Sequence, residues 1–232
     1  VTLFRSVQYA YDGSGNNALA GINVKYVPFK KAAFYGQLAI DELDFTKFGQ
    51  GGYIDQRLGW QVGFKIFDAF GIDRLYARLE YNGARPYTYS HESSLQSYTH
   101  YNQPLAHPLG ANFHEFVGEV GYRWRDLRLS YRITFASVGR DSIGRNYGND
   151  VYIPDTDAFL GAQSYGNSIG QGVKTSLTYQ TLELAYVVNR ASNLHLILGL
   201  RHRSSKNELS TEKNVYLFFG MRTTLRNLYH DF

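Results

Sequence analysis

Apolar and polar residues alternate with a period of two along most of this chain, the spacing of a strand with one apolar face. In residues 194–203, Leu194, Leu196, Leu198 and Leu200 take the even positions, and the odd ones include His195, Arg201 and Arg203. Residues 127–135 set Leu127, Leu129, Tyr131, Ile133 and Phe135 against Arg128, Ser130, Arg132 and Thr134. In 116–124, Phe116, Val120, Tyr122 and Trp124 alternate with Glu119 and Arg123, and Glu115 stands just before them. In 75–81, Leu75, Ala77, Leu79 and Tyr81 alternate with Arg78 and Glu80, with Arg74 preceding. Segment 60–66 sets Trp60, Val62, Phe64 and Ile66 against Gln61 and Lys65, and a last run pairs Leu217, Phe219, Met221 and Leu225 with Arg222 and Arg226. Weaker runs lie near 2–10, 18–27, 32–42 and 173–188, the last with its phase slipping around 179–182. The total is about ten strands of about nine or more residues, enough to cross a bilayer at a tilt of roughly 45°.

The connections sort into two alternating kinds. Short ones fall at 28–29, 68–71, 125–126 and 189–193, and long polar ones near 43–57, 83–112, 139–172 and 204–213. That wiring predicts an all-β fold, an antiparallel up-and-down transmembrane β-barrel of about ten strands forming one domain over 1–232. Arg74, Arg78, Glu80, Glu119, Arg123, Arg128, Arg132, Arg201, Arg203 and Arg222 are then expected to line a wet lumen. Lipid tolerates only the apolar face. Tyr26, Tyr81, Trp124 and Tyr186 sit towards strand ends, where a bilayer interface would lie. A soluble barrel or sandwich is the alternative, and would bury the apolar face as its core. The C-terminal residues 227–232, out of phase with the run before them, are expected to form a short tail ending on Phe232. A periplasmic C-terminus would make the long loops extracellular.

Composition sharpens this reading. Tyrosine is unusually frequent, with 20 Tyr and 15 Phe, as in proteins that present rings to a lipid–water boundary. Cysteine is absent, which removes thiol catalysis, thiolate metal sites and disulfides. A formal charge of +4 without a basic run gives no case for nucleic acid. The strongest apolar run, 194–200, has strand length. The chain opens mid-pattern without an initiator Met, so a mature or truncated piece of something longer is expected.

Four of the seven histidines, His91, His100, His107 and His114, fall in 89–116. Their spacing matches no common zinc motif, and no metal or other cofactor is expected. Glu92 and Glu115 flank the loop, but carboxylate pairs of that kind are common on a barrel and do not make a glycosidase. Asp150, Asp155 and Asp157 beside Asn149 could hold calcium, though without the spacing of a known calcium loop they read as a solvated turn. No catalytic arrangement is expected. Carbohydrate binding remains, because sugars offer apolar C–H faces to flat rings and hydroxyls to amides and charges. The candidate residues, for sugar contact or for a loop plug, are Tyr87, Tyr89, His91, Tyr98, His100, Tyr101, Asn102, Gln103, His107 and Asn112. Tyr53, Tyr147, Tyr152 and Tyr165 lie in other outer loops.

The stretch "SLQSYTHYNQPLAHPLGANFHEF", followed by "GYRWRDLRLSYRITF", resembles the C-terminal part of the Wzi-type capsule-assembly outer-membrane family, in its Bacteroidetes branch with the RemB-like gliding-motility surface proteins. "YNQPLAHPLGANF" is the specific part, while "AFYGQLAIDEL" and the terminal "NLYHDF" agree in style. The resemblance implies a Gram-negative outer-membrane barrel, larger than this chain, that binds or organises surface or capsular polysaccharide. Expected partners are outer-membrane lipid or lipopolysaccharide, surface polysaccharide and other outer-membrane or secretion-machinery proteins. Two alternatives stay open: a structural subunit of a secretion or gliding assembly, and a passive channel whose arginines favour anions.

Overall fold

A computed structural model describes residues 19–47, 50–101, 103–155 and 162–223. The protein is all-β. Four strands open it: β1 (Ala20–Phe29), β2 (Ala32–Leu43), β3 (Gln56–Phe67) and β4 (Leu75–Ala84). A two-residue hairpin, β5 (Thr99–His100) and β6 (Gln103–Pro104), interrupts the long loop that follows. Five strands complete the sheet: β7 (Phe113–Trp124), β8 (Leu127–Arg140), β9 (Val173–Asn189), β10 (Leu194–Lys206) and β11 (Thr211–Arg222). The main sheet has nine strands in sequential order, β1-β2-β3-β4-β7-β8-β9-β10-β11, each antiparallel to the next. Among the described residues the sheet is open, with β1 and β11 as its edges.

Nine of the expected strands are present. The run near 2–10 and the tail 227–232 lie outside the described residues. Three expectations are corrected. The first short connection is Lys30–Lys31, because β1 continues through Pro28–Phe29, where the ladder with β2 is irregular. A proline at an edge strand removes only an unneeded donor. The expected long loop 204–213 is a turn of residues 207–210, since β10 and β11 pair without a break from His195↔Arg222 to Lys206↔Thr211. Asn207 Oδ1 closes this turn by accepting from Leu209 N at 2.9 Å and Ser210 N at 2.7 Å. Finally, β9 keeps one phase: its register to β8 is unbroken from Tyr186 to Val173, so Thr178 and Gln180 stay on the apolar side.

The two faces of the sheet differ sharply. On one, cross-strand partners carry an apolar belt across all nine strands. Val24, Phe34, Val62, Leu79, Phe116, Tyr131, Leu182, Leu200 and Leu217 mark it strand by strand, and all are exposed. Leu198, between Leu184 and Phe219 in register, is 49% exposed, and Phe219 is 73% exposed. Among the described residues, the buried hydrophobic cluster lies elsewhere: Ala84, Tyr89, Ala111, Phe113, Ala136, Val138 and Val151, at the long-loop end of the opposite face. That opposite face is polar. Arg78 and Arg132 both reach Glu119 Oε2, at 2.6 and 3.0 Å, and Arg222 grips Glu183 at 3.1 and 3.0 Å. Tyr35 donates to Glu80, and its ring fills the space that Gly63 leaves by having no side chain.

Candidate functional site

The three long loops knit together over the long-loop end of the polar face. Asn112, fully buried just before β7, holds two of them. Its Nδ2 donates towards Gly139 O, Gln171 O and Tyr147 O at 2.7, 3.0 and 3.2 Å, and its Oδ1 accepts from Gly170 N at 2.7 Å. Asn149 returns the grip, donating to Ala111 O at 2.7 Å and Leu109 O at 2.9 Å. Tyr87 is buried, with its N–H on Gly148 O at 2.9 Å and its hydroxyl on Asn146 O at 3.0 Å. Gly148 has φ +79, and a Cβ there would stand 2.4 Å from Tyr87 N, so only glycine fits. Tyr87 and Tyr89 themselves hold left-handed φ of 64 and 77°, a conformation that tyrosine keeps only when its surroundings over-determine it.

A second anchor ties the same loop to β2 and β3. Arg57, nearly sealed from solvent, donates to the Asp155 carboxylate and to Ser90 O, and its Nε lies 3.0 Å from Glu42 Oε2. Asp41 accepts from Tyr89 N at 2.8 Å and lies 3.1 Å from His91 Nε2.

Between this knot and the sheet lies a pocket of about 330 Å³. Tyr89, Tyr98, Leu105 and His107 line it from the loop side, and Phe113 lines it from the start of β7. The Tyr89 hydroxyl sits over Gly59, the Tyr89 and Tyr98 rings are 6.0 Å apart, and the His107 ring stacks on Phe113 at 4.4 Å. The floor includes Gln37, Gln61 and Asn82. These belong to one row of directly paired positions, Asn23↔Gln37↔Gln61↔Asn82↔Glu115, running across five strands. Glu115 ends the row, taking hydrogen bonds from Asn82 Nδ2 at 2.9 Å and His107 Nε2 at 3.2 Å. The His107 tautomer follows, since its Nδ1 accepts from Leu109 N at 3.2 Å. Among the described residues Asn82 Oδ1 is buried without a hydrogen-bond partner.

The sequence-based candidates therefore separate by role. Tyr89, Tyr98 and His107 line the pocket. Tyr87 and Asn112 are sealed inside the loop knot, and His91 joins the Arg57–Asp41 anchor. His100, Tyr101 and Gln103 are exposed on the small hairpin, with Tyr101 edge-on to His100 at 4.3 Å. Asn102 and Asp157 lie outside the described residues. Asp155 pairs with Arg57, Asp150 Oδ1 accepts from Tyr152 N at 2.9 Å, and the Asn149 amide is committed to the loop carbonyls, so the three do not converge. Of the expected lumen arginines, Arg78, Arg132 and Arg222 are ion-paired, and Arg201 lies over the rings of Phe218 and Tyr179 at 5.1 and 5.7 Å. Sequence reasoning missed Gln37 and Asn82. Their signal, a polar residue in strand phase, was present, but only the register aligns them.

No protein-family model, curated protein or solved structure matches the chain.

Burial, with Asp41 and Tyr98 adding to it, raises the Tyr89 phenol from 10.0 to about 12. A raised folded-state value means that the neutral phenol is preferred in the fold. Its contribution is complete below the unfolded value of 10.0 and is lost as pH rises towards about 12. The Tyr89 phenol is expected to ionise only in that alkaline window, and loop protection from protease is expected to fall with it. Near-ultraviolet tyrosinate absorbance of wild type against Tyr89→Phe measures it; identical titrations would contradict the buried phenol.

Proposed function

We propose that this chain is part of a bacterial outer-membrane β-barrel that binds surface polysaccharide in the pocket beneath its extracellular loops. The observation that supports the membrane part is the exposed apolar belt on every strand of the sheet. A contiguous exposed apolar surface beyond roughly 300–600 Å² marks contact with lipid or a partner. The soluble alternative would need a second layer over that belt, and the polar face carries the loops instead. Trp124, Tyr186 and Tyr26 lie within a few residues of the short turns, where an interfacial girdle would run. On this reading the short turns and the end of β11 are periplasmic. Nine antiparallel strands leave β1 and β11 pointing the same way, so pairing them with each other would make a parallel ladder. An all-antiparallel barrel therefore needs an odd number of further strands.

The sugar part rests on the pocket: two tyrosine rings and a histidine facing the side-chain amides of Gln37, Gln61 and Asn82. Such a lining suits pyranose rings, whose C–H faces stack and whose hydroxyls both donate and accept. Capsular polysaccharide binding to the purified protein tests it. Tyr98→Ala and Gln61→Ala are each expected to weaken binding about tenfold, the effect of roughly 1.4 kcal/mol of lost contact. Undiminished binding in both variants would sink the pocket assignment. The edges β1 and β11, unpaired among the described residues, favour a second reading, a structural subunit whose edges pair with another outer-membrane chain. A stoichiometric partner that co-purifies would support that one.

A charge in the belt tests the membrane directly. Leu198→Arg, at the middle of β10, is expected to cost about 2–4 kcal/mol of stability in lipid vesicles, and Val188→Arg beside the turn only about 0–1. Denaturant unfolding from vesicles measures both. Equal costs at the two depths would contradict a bilayer around the belt.

A further inference from the structure

At the short-turn end of the polar face, far from the sugar pocket, Arg123 on β7 and Arg128 on β8 stand directly opposite each other. They share a face with Glu119 and Arg132, and both are exposed. Like charges in directly opposed positions of a sheet repel and destabilise it. Among the described residues neither is ion-paired. The nearby carboxylates are already taken: Glu119 by Arg78 and Arg132, Asp126 by Arg190, and Glu183 by Arg222. Two hollows open on either side of the pair, of about 310 and 280 Å³, and Arg123 and Arg128 line both. The floor is small, because Gly121 pairs with Ser130 and Arg128 with Ala185. Arg74 reaches one hollow and His195 the other.

We propose that Arg123 and Arg128 form an oxyanion site that takes a phosphate group, free or carried on a sugar. Two planar guanidinium groups side by side offer donors in the fork geometry that phosphate oxygens accept. A bound dianion converts their mutual repulsion into shared attraction. This site is independent of the sugar pocket and does not rest on it.

The test is calorimetric titration of the purified chain, in detergent micelles or in buffer as its solubility requires, with inorganic phosphate and with glucose 1-phosphate. Chloride at equal ionic strength is the control. Wild type is expected to bind at least one phosphate probe and to gain thermal stability from it. Arg123→Gln/Arg128→Gln is expected to lose about tenfold or more in affinity and all of the thermal gain, since several charge-assisted hydrogen bonds go. The double variant also relieves the repulsion, so without phosphate it should melt no lower than wild type. Arg125→Gln, in the adjacent turn with its guanidinium over Trp124, should bind as wild type does. The tighter of the two probes identifies the source of the phosphate. Failure of both to bind, equal stabilisation by chloride, or unchanged binding in the double variant would each overturn the site.

Discussion

Arg57→Met is expected to lower stability by about 3–5 kcal/mol, the cost of stranding a buried charge. The arginine side chain is 6% exposed and its partner Asp155 is 3% exposed. Among the described residues Asp155 Oδ1 is buried without a partner, so the Arg57 guanidinium on its other oxygen is the main compensation for burying the carboxylate. Methionine keeps the apolar stem and removes every donor. Ser90 O then loses its hydrogen bond, and Glu42 Oε2 loses its ionic partner at 3.0 Å. The loop 85–112 and the segment around Asp155 should come off β2 and β3 together. Denaturant unfolding with limited proteolysis of those loops reads the effect. Adding Asp155→Asn to Arg57→Met should restore a good part of the loss, because the stranded charge is gone. A loss under about 1 kcal/mol in the single variant would place the pair among weak surface bridges and contradict its burial.

Asn112→Ala is expected to cost about 3 kcal/mol, from several buried carbonyl and amide groups left without partners at about 1–3 kcal/mol each. The side-chain amide has two hydrogens for three carbonyls, so one of them is shared, and all lie within 2.7–3.2 Å. Its oxygen also holds Gly170 N at 2.7 Å. The backbone adds to the cost, since φ is 57° and asparagine tolerates that region better than alanine does. The expected outcome is local: residues 141–172 become protease-sensitive while the sheet keeps its circular dichroism. Asn112→Asp should fail similarly, because a carboxylate cannot donate to those carbonyls. An unchanged digestion pattern in both variants would show that other contacts hold the loops.

Much of the strand framework was legible because strand phase is a property of near neighbours. Leu127 to Phe135 and Leu194 to Leu200 declare their faces at i and i+2, and Arg125–Asp126 declares a tight turn. The same reasoning erred where a polar stretch mimicked a loop. Residues 204–213 are polar, yet mostly strand, because Ser204, Ser205 and Lys206 pair with Lys213, Glu212 and Thr211. In β9, Thr178 and Gln180 broke the apolar pattern without breaking the ladder. The loop candidates were found as a group, because aromatic and amide residues crowd 87–112, but their roles were not separable by composition. Tyr87 and Tyr98 are both tyrosines in one loop. One is sealed beneath Gly148 and the other faces a pocket.

The sequence by itself determined most of the period-two strands and their apolar and charged faces. Each of these follows from residues a few positions apart. Only the tertiary structure decided the amide row, the loop knot and the pairing state of each arginine. Those depend on registers and contacts between distant segments, such as Arg57 with Asp155, 98 residues apart, or Asn167 with Gly52, 115 apart. Such contacts form when the summed hydrogen bonding and burial of whole strands and loops selects one register, and no short window of residues contains that sum.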